Sequence, residues 1–243
     1  MKLMRALAVP AAVVASALLM TACGAGSGGG SGPSGSPAAG GTAAPTLGQE
    51  YPAIKSAALS ATSVRLSGSV VQGGKRLGLD MALVKPADAA GSVSEGGTRF
   101  TIVAVSGKAW IKINRPFLRL SHLPTSLCAK ACGKYLVAPA SAAADFTNFR
   151  LASLLRTMFK HGPNAAESRL KLTTTQFGGQ PAWSVSGEGV TMYISKGSTP
   201  YLMSMTFHGQ HVSFSDWNTA KVTAPPASKV LTLAQLGALA TGG

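Results

Sequence analysis

Apolar and polar positions alternate with period two along most of the chain between residues 49 and 236, and glycine-bearing breaks interrupt the alternation. This is the pattern of strands that bury one face and wet the other. Leu77, Leu79, Met81 and Leu83 fall on alternate positions and so share a face. Phe100 and Ile102 open another such face, and after Ser106-Gly107 the side chain of Trp110 alternates with Ile111 and Ile113. Leu170 and Leu172 lead to Gly178-Gly179, beyond which Trp183 and Val185 return. Val190, Met192 and Ile194 go up, Lys196-Gly197-Ser198 turns, and Tyr201, Met203, Met205 and Phe207 come back. A last hairpin turns at Gly209 and runs through Val212 and Phe214. Hairpin following hairpin predicts an antiparallel sheet.

Helical patterning is confined to three places. Residues 50–62 have helical composition with Ile54, Ala57, Ala58 and Ala61 on one side. Asp145 is placed to cap a helix over residues 146–160, whose apolar stripe comprises Phe146, Phe149, Leu154, Leu155 and Met158. Ser228, after Pro225-Pro226, is placed to cap a final helix over 229–236. The expectation is one α+β domain, residues 49–243, with a large curved antiparallel sheet (a half-barrel) wrapped over two or three helices.

The N-terminus follows different rules. Lys2 and Arg5 precede an uncharged apolar run over residues 6–20. That run is shorter than the roughly 20 residues a membrane span requires, so residues 1–22 read as a signal peptide. Met20-Thr21-Ala22-Cys23 resembles the lipobox of bacterial lipoproteins, which implies that Cys23 carries the lipid, palmitate included, and heads the mature chain. An ordinary cleaved signal peptide with a chance cysteine is the alternative. Residues 23–48 are rich in Gly, Ser and Pro and carry no charge, as in a flexible tether. Gly24-Ala25-Gly26-Ser27-Gly28-Gly29 in that tether matches a dinucleotide-binding fingerprint in letters only, without a strand before it or a helix after it.

A resemblance spans nearly all of residues 50–236. It is carried by a starting helix, a strand ending in VSGKAWIKI, a central Phe- and Leu-rich helix, and then GGQPAWSVSG, GVTMYISKG and PYLMSMTF. The close in FSDWNTAKVTAPPASKVLTL, with Trp217, is its most specific part. This order resembles the actinobacterial lipoproteins of the LppX/LprAFG type. The resemblance implies a half-barrel similar to the LolA and LolB carriers, holding an acylated lipid or glycolipid between sheet and helices. Cavity-lining residues in such folds are interchangeable apolar side chains, so no motif transfers residue by residue.

Catalytic chemistry is hard to find. The chain has four histidines, and His208 and His211 bracket a turn at a spacing that suits a metal, yet no acidic residue lies nearer than Asp216. There is no GxSxG elbow and no HExxH helix. Gly68 to Lys75 imitates a phosphate loop with the wrong spacing, and Arg76 stands where a magnesium-binding hydroxyl belongs. The reading is therefore a non-enzyme with no cofactor and no metal. Cys128 and Cys132 are expected to form a disulfide outside the cytoplasm. A redox pair, or a metal clasp with His122, remains as an alternative.

Charge is distributed unevenly. The chain has 22 Lys and Arg against 8 Asp and Glu, and no acidic residue falls between Glu95 and Asp145, where Arg99, Lys108, Lys112, Arg115, Arg119, Lys130 and Lys134 all occur. Either this is a solvated surface with a basic bias, or it faces anionic lipid headgroups. Nucleic acid is not expected, because stacking aromatics are not interleaved with the basic residues and the chain is exported. The leading functional expectation is a monomeric carrier or sensor, tethered to the outer face of the cell membrane and binding an amphiphile. Its expected ligand site comprises Leu154, Met158, Met192, Ile194, Met203 and Met205, with Arg150 and Lys160 at the mouth to meet a headgroup. The alternatives are an envelope interaction module with a solid core and no ligand, and an enzyme whose site carries no recognisable motif.

Overall fold

The structure is a computed structural model, which describes residues 44–139 and 150–241. Five α-helices fall in that range, α1 (Leu47–Ser60), α2 (Arg115–Leu120), α3 (Cys128–Ala131), α4 (Leu151–Met158) and α5 (Leu233–Thr241). Two of these are only one or two turns long, so the longer elements that cover the sheet are about as many as expected. The twelve strands are β1 (Ser63–Gln72), β2 (Lys75–Val84), β3 (Asp88–Glu95), β4 (Thr98–Val105), β5 (Lys108–Lys112), β6 (Tyr135–Val137), β7 (Thr173–Phe177), β8 (Gln180–Gly187), β9 (Val190–Ser195), β10 (Leu202–Phe207), β11 (Gln210–Ser215) and β12 (Val230–Leu231).

All twelve join one sheet in the order β12-β6-β5-β4-β3-β2-β1-β11-β10-β9-β8-β7. Every pairing is antiparallel except β12 on β6. The large curved α+β sheet expected from the alternation is therefore what forms, and it does not close on itself. It consists of two meanders, β1–β6 and β7–β11, joined where β1 pairs with β11, with Arg65 opposite Ser215 and Ser69 opposite His211.

One face of the sheet is buried under the helices. Leu77, Met81 and Leu83 of β2 are buried on that face, as are Ala109 and Ile111 of β5. Trp110 lies on the outer face, in a row with Val103 and Val137. The rest of the outer face is largely hydroxyl, with Ser204, Thr206 and Ser213 around the ring of His211. Those hydroxyl contacts account for His211, and they contain no carboxylate.

Helix α1 starts earlier than its composition suggests, inside the expected tether. Thr46 caps it in a reciprocal box: its hydroxyl accepts from the Gln49 N–H, and the Gln49 side chain accepts from the Thr46 N–H at 2.8 Å. Leu47 is buried as a result, and Thr46 also bridges to Lys171. The same device recurs at the other end of the domain, where Thr232 and Gln235 exchange bonds of 3.2 and 2.8 Å ahead of α5. Ser228 instead falls in a 3-10 turn, Ala227–Lys229, that precedes β12. Helix α4 covers only the second half of the expected 146–160 helix. Asp145, Phe146 and Phe149 lie outside the described residues, as do Cys23 and the whole signal segment.

Cys128 and Cys132 are disulfide-bonded, with Cα atoms 4.5 Å apart. The bond closes a single turn, α3, and uses the two sulfurs that a metal clasp with His122 would need. A loop this short removes little chain entropy, so replacing both cysteines with serine should lower stability by about 2 kcal/mol or less. Urea unfolding of the two forms measures this directly.

Candidate functional site

Among the described residues a partly open apolar pocket of 110 Å³ lies between the helices and strands β8–β10. Its floor is set by strand register. Met192 pairs with Met205, and Val190 with Phe207, so these side chains share the inner face. Val185 joins them from β8, opposite Met192. The ladder then breaks: Leu202 pairs with Ile194 but Ser204 pairs with Tyr193, leaving Met203 as the extra residue of a bulge. A bulge reverses the facing of everything beyond it. Leu202 therefore turns inward beside Ile194 and lines the pocket, while Met203 does not.

The roof comes from α1 through Leu47, Tyr51 and Ile54, and from the end of α4 through Met158 and Phe159. The segment His161–Pro163 closes one side. Tyr51 holds that segment, since its hydroxyl donates to the His161 carbonyl at 2.9 Å and its ring lies 6.1 Å from that of Phe159. Burial raises the Tyr51 phenol above its ordinary value, so it stays protonated and keeps this bond through neutral pH.

Of the expected site residues, Met158, Met192, Ile194 and Met205 line the pocket together. Leu154 is buried in the core on α4 but does not reach the pocket wall. Arg150 is the N-cap residue of α4, and Lys160 is exposed; neither lines the pocket. The charged side chain in the wall is an acid instead, Glu167. It belongs to a third capping box, in which its carboxylate accepts from the Asn164 N–H at 2.8 Å and the Asn164 side chain accepts from the Glu167 N–H at 2.9 Å. The expected basic mouth is thus replaced by tyrosine, histidine and one glutamate.

The helix expected over residues 50–62 forms as α1, but its part in the pocket and its first turn were not foreseen. The expected pocket lay against the helix of 146–160, whereas α1 supplies as much of the roof. The signal was present in Thr46-Leu47-Gly48-Gln49, the Thr-x-x-Gln spacing of a capping box. No cluster of metal-ligating side chains occurs among the described residues, and no described helix is long and apolar enough to cross a membrane.

No protein-family model matches the chain, and no curated protein matches it. Among solved structures, the chain is similar to an uncharacterized conserved protein from Thermus thermophilus, with a TM-score of 0.30 and 10% identity over 76% of this chain and 97% of that one. It is also similar to a structure of the Pseudomonas aeruginosa MucA/MucB complex, with a TM-score of 0.26 and 12% identity over 78% of this chain. The match spans 60% of that second chain.

Proposed function

We propose that this protein is a non-enzymatic lipoprotein of the cell envelope, anchored through Cys23, that binds the apolar part of an amphiphile between its helices and sheet. The observation that carries the reading is the pocket over β8–β10, whose wall is mostly apolar and includes three flexible methionines, Met158, Met192 and Met205. Its 110 Å³ is of the order of the roughly 150 Å³ cavity that accepts one benzene ring. It therefore suits a short length of a single acyl chain, and a multi-acyl lipid would require the 159–163 segment to move outward. The polar residues of the wall, Tyr51, His161 and Glu167, are few, as in sites that orient a ligand without reacting with it.

Native mass spectrometry of the full chain isolated from its host membranes tests the reading, together with titration by a fluorescent acyl probe. A co-purified lipid that the probe displaces is the expected result. In the same preparations Cys23→Ala is expected either to lose its salt-resistant membrane association or to remain an uncleaved precursor, because a lipid anchor needs its cysteine. A protein that carries no lipid and ignores the probe would favour the second reading, a ligand-free interaction module. That reading draws on the outer-face row of Val103, Trp110 and Val137, where Val137 is 37% exposed.

A further inference from the structure

Strand direction sorts the surface charges into two ends. At one end lie the hairpin tips Gly73-Gly74, Gly96-Gly97, Glu188-Gly189 and His208-Gly209, as the pairings of β1 with β2, β3 with β4, β8 with β9 and β10 with β11 require. Strand β5 also ends there, leading into Asn114, α2 and α3, and the chain returns through Lys134 to β6. The opposite end holds the turns at Lys85-Pro86, Ser106-Gly107, Gly178-Gly179 and Lys196-Gly197. A strand of ten residues such as β1 separates the two ends by roughly 33 Å, several Debye lengths at physiological salt.

The first end, beneath β1–β6, is strongly basic. It gathers Lys75, Arg76, Arg99, Arg115, Arg119, Lys130 and Lys134. Backbone contacts draw several of these together: the Asn114 side chain donates to the Arg99 carbonyl at 2.8 Å, and the Ile113 N–H donates to the Lys134 carbonyl at 2.8 Å. The carboxylate among them is Glu95, and Lys75 already occupies it at 2.6 Å, which raises the lysine's pKa. Arg99, Arg115, Arg119, Lys130 and Lys134 have no carboxylate within ion-pair distance among the described residues. Two large apolar side chains are exposed at this same end, Val71 at 43% and Leu120 at 46%. Beneath β7–β9 the end is balanced, with Arg169 and Lys171 near Glu167 and Glu188.

The chain N-terminal to the fold enters at this end too. Thr46 bridges to Lys171, and the Pro45 carbonyl accepts from the Leu172 N–H at 2.8 Å, immediately before β7 begins. The described chain therefore begins at this same end of the sheet, beneath β7.

We propose that this end of the sheet docks on an anionic bilayer surface. The arginines and lysines meet phosphate headgroups, Val71 and Leu120 dip into the interface, and the described chain begins on the side of the same surface. The pocket runs along β9 from Val190 to Ile194, and its Leu47, Gly187 and Val190 edge faces that end, so docking turns this edge toward the headgroup layer. The proposal rests on the reading of the chain as membrane-tethered and names the face that meets the membrane.

The test uses the full chain with Cys23→Ala, so that no anchor lipid contributes, and vesicles of phosphatidylcholine alone or mixed with phosphatidylglycerol. The readout is the ratio of affinities for the two vesicles, compared between variants so that the leader, which carries Lys2 and Arg5, contributes equally to each. The parent is expected to prefer the anionic vesicles and to lose the preference at high salt. Arg76→Gln, Arg99→Gln and Arg115→Gln together should lower the anionic affinity about a hundredfold, at roughly fivefold per charge. Lys108→Gln with Lys196→Gln, at the opposite end, should leave it within about twofold. Should the triple variant melt early, Arg99→Gln and Arg115→Gln singly provide the roughly fivefold steps. Absence of an anionic preference in the parent, or equal losses from the two ends, would overturn the proposal. Neither outcome depends on pocket occupancy or on lipidation, which the acyl probe and the Cys23→Ala fractionation read separately.

Discussion

Replacing Met192 with tryptophan should lower the affinity for a fluorescent acyl probe at least tenfold, about 1.4 kcal/mol, while the protein keeps a cooperative melt. Met192 is partly exposed on β9, faces Met205 across the ladder and borders the cavity. An indole there projects into existing space rather than into packed side chains, so the overpacking cost that such an enlargement usually carries is small. The matched control is Met203→Trp. It makes the same chemical change on the adjacent strand, but at the bulge residue that the register keeps out of the pocket wall. Probe affinity should be unchanged in that variant. Equal effects at both positions would mean that the bulge does not divide the two methionines, and the pocket assignment would fall with it.

Gly68→Ala is expected to cost about 3 kcal/mol or more. Gly68 lies in the middle of β1 with φ at +143°, between Leu79 of β2 and Val212 of β11. A Cβ placed there would overlap the His211 carbonyl oxygen and stand 2.9 Å from the Val212 Cα. Both neighbours are backbone in a paired ladder, so neither can yield without breaking hydrogen bonds. Gly73→Ala separates strain from collision, because Gly73 also has positive φ, +55°, but would meet nothing within 4 Å. That change should cost about 1 kcal/mol. Urea midpoints of the two variants provide the comparison, and equal losses would show that the β1–β11 contact is looser than the register indicates.

The parts of this architecture that were legible in the sequence are those in which a local rule goes uncontested. Leu77, Met81 and Leu83 alternate and are buried together, and Trp183 and Val185 return after a Gly-Gly turn as read. Where a second local rule competes, alternation misleads. Met203 stands in phase with Met205 in the sequence, yet one extra residue in β10 puts Leu202 in the pocket wall instead. Leu170 and Leu172 look like the start of a strand, but Leu170 ends a 3-10 turn and β7 begins at Thr173. The pocket wall near α4 is set by a different rule. Arg150 and Lys160 flank the apolar stripe in sequence, whereas the pocket wall there is built by Tyr51, His161 and Glu167, the first of them more than a hundred residues away on α1. Long-range docking of that kind leaves no periodic trace.

The seam between β1 and β11 also governs the order in which the molecule can assemble. β2 to β6 follow one another by neighbour pairing, and so do β7 to β11, so each meander closes by local loops, the longest being the helical 113–134 connection. The seam instead joins Arg65 to Ser215, and it cannot form until the last hairpin has been made. During that interval β1, with Val64, Leu66 and Val70 along its inner face, is an uncovered edge in an otherwise completed half-sheet. A chain that emerges N-terminus first therefore spends most of its emergence with its most adhesive strand unprotected. Its folding yield should depend less on final stability than on the delay before Val212 and Phe214 arrive to cover that edge.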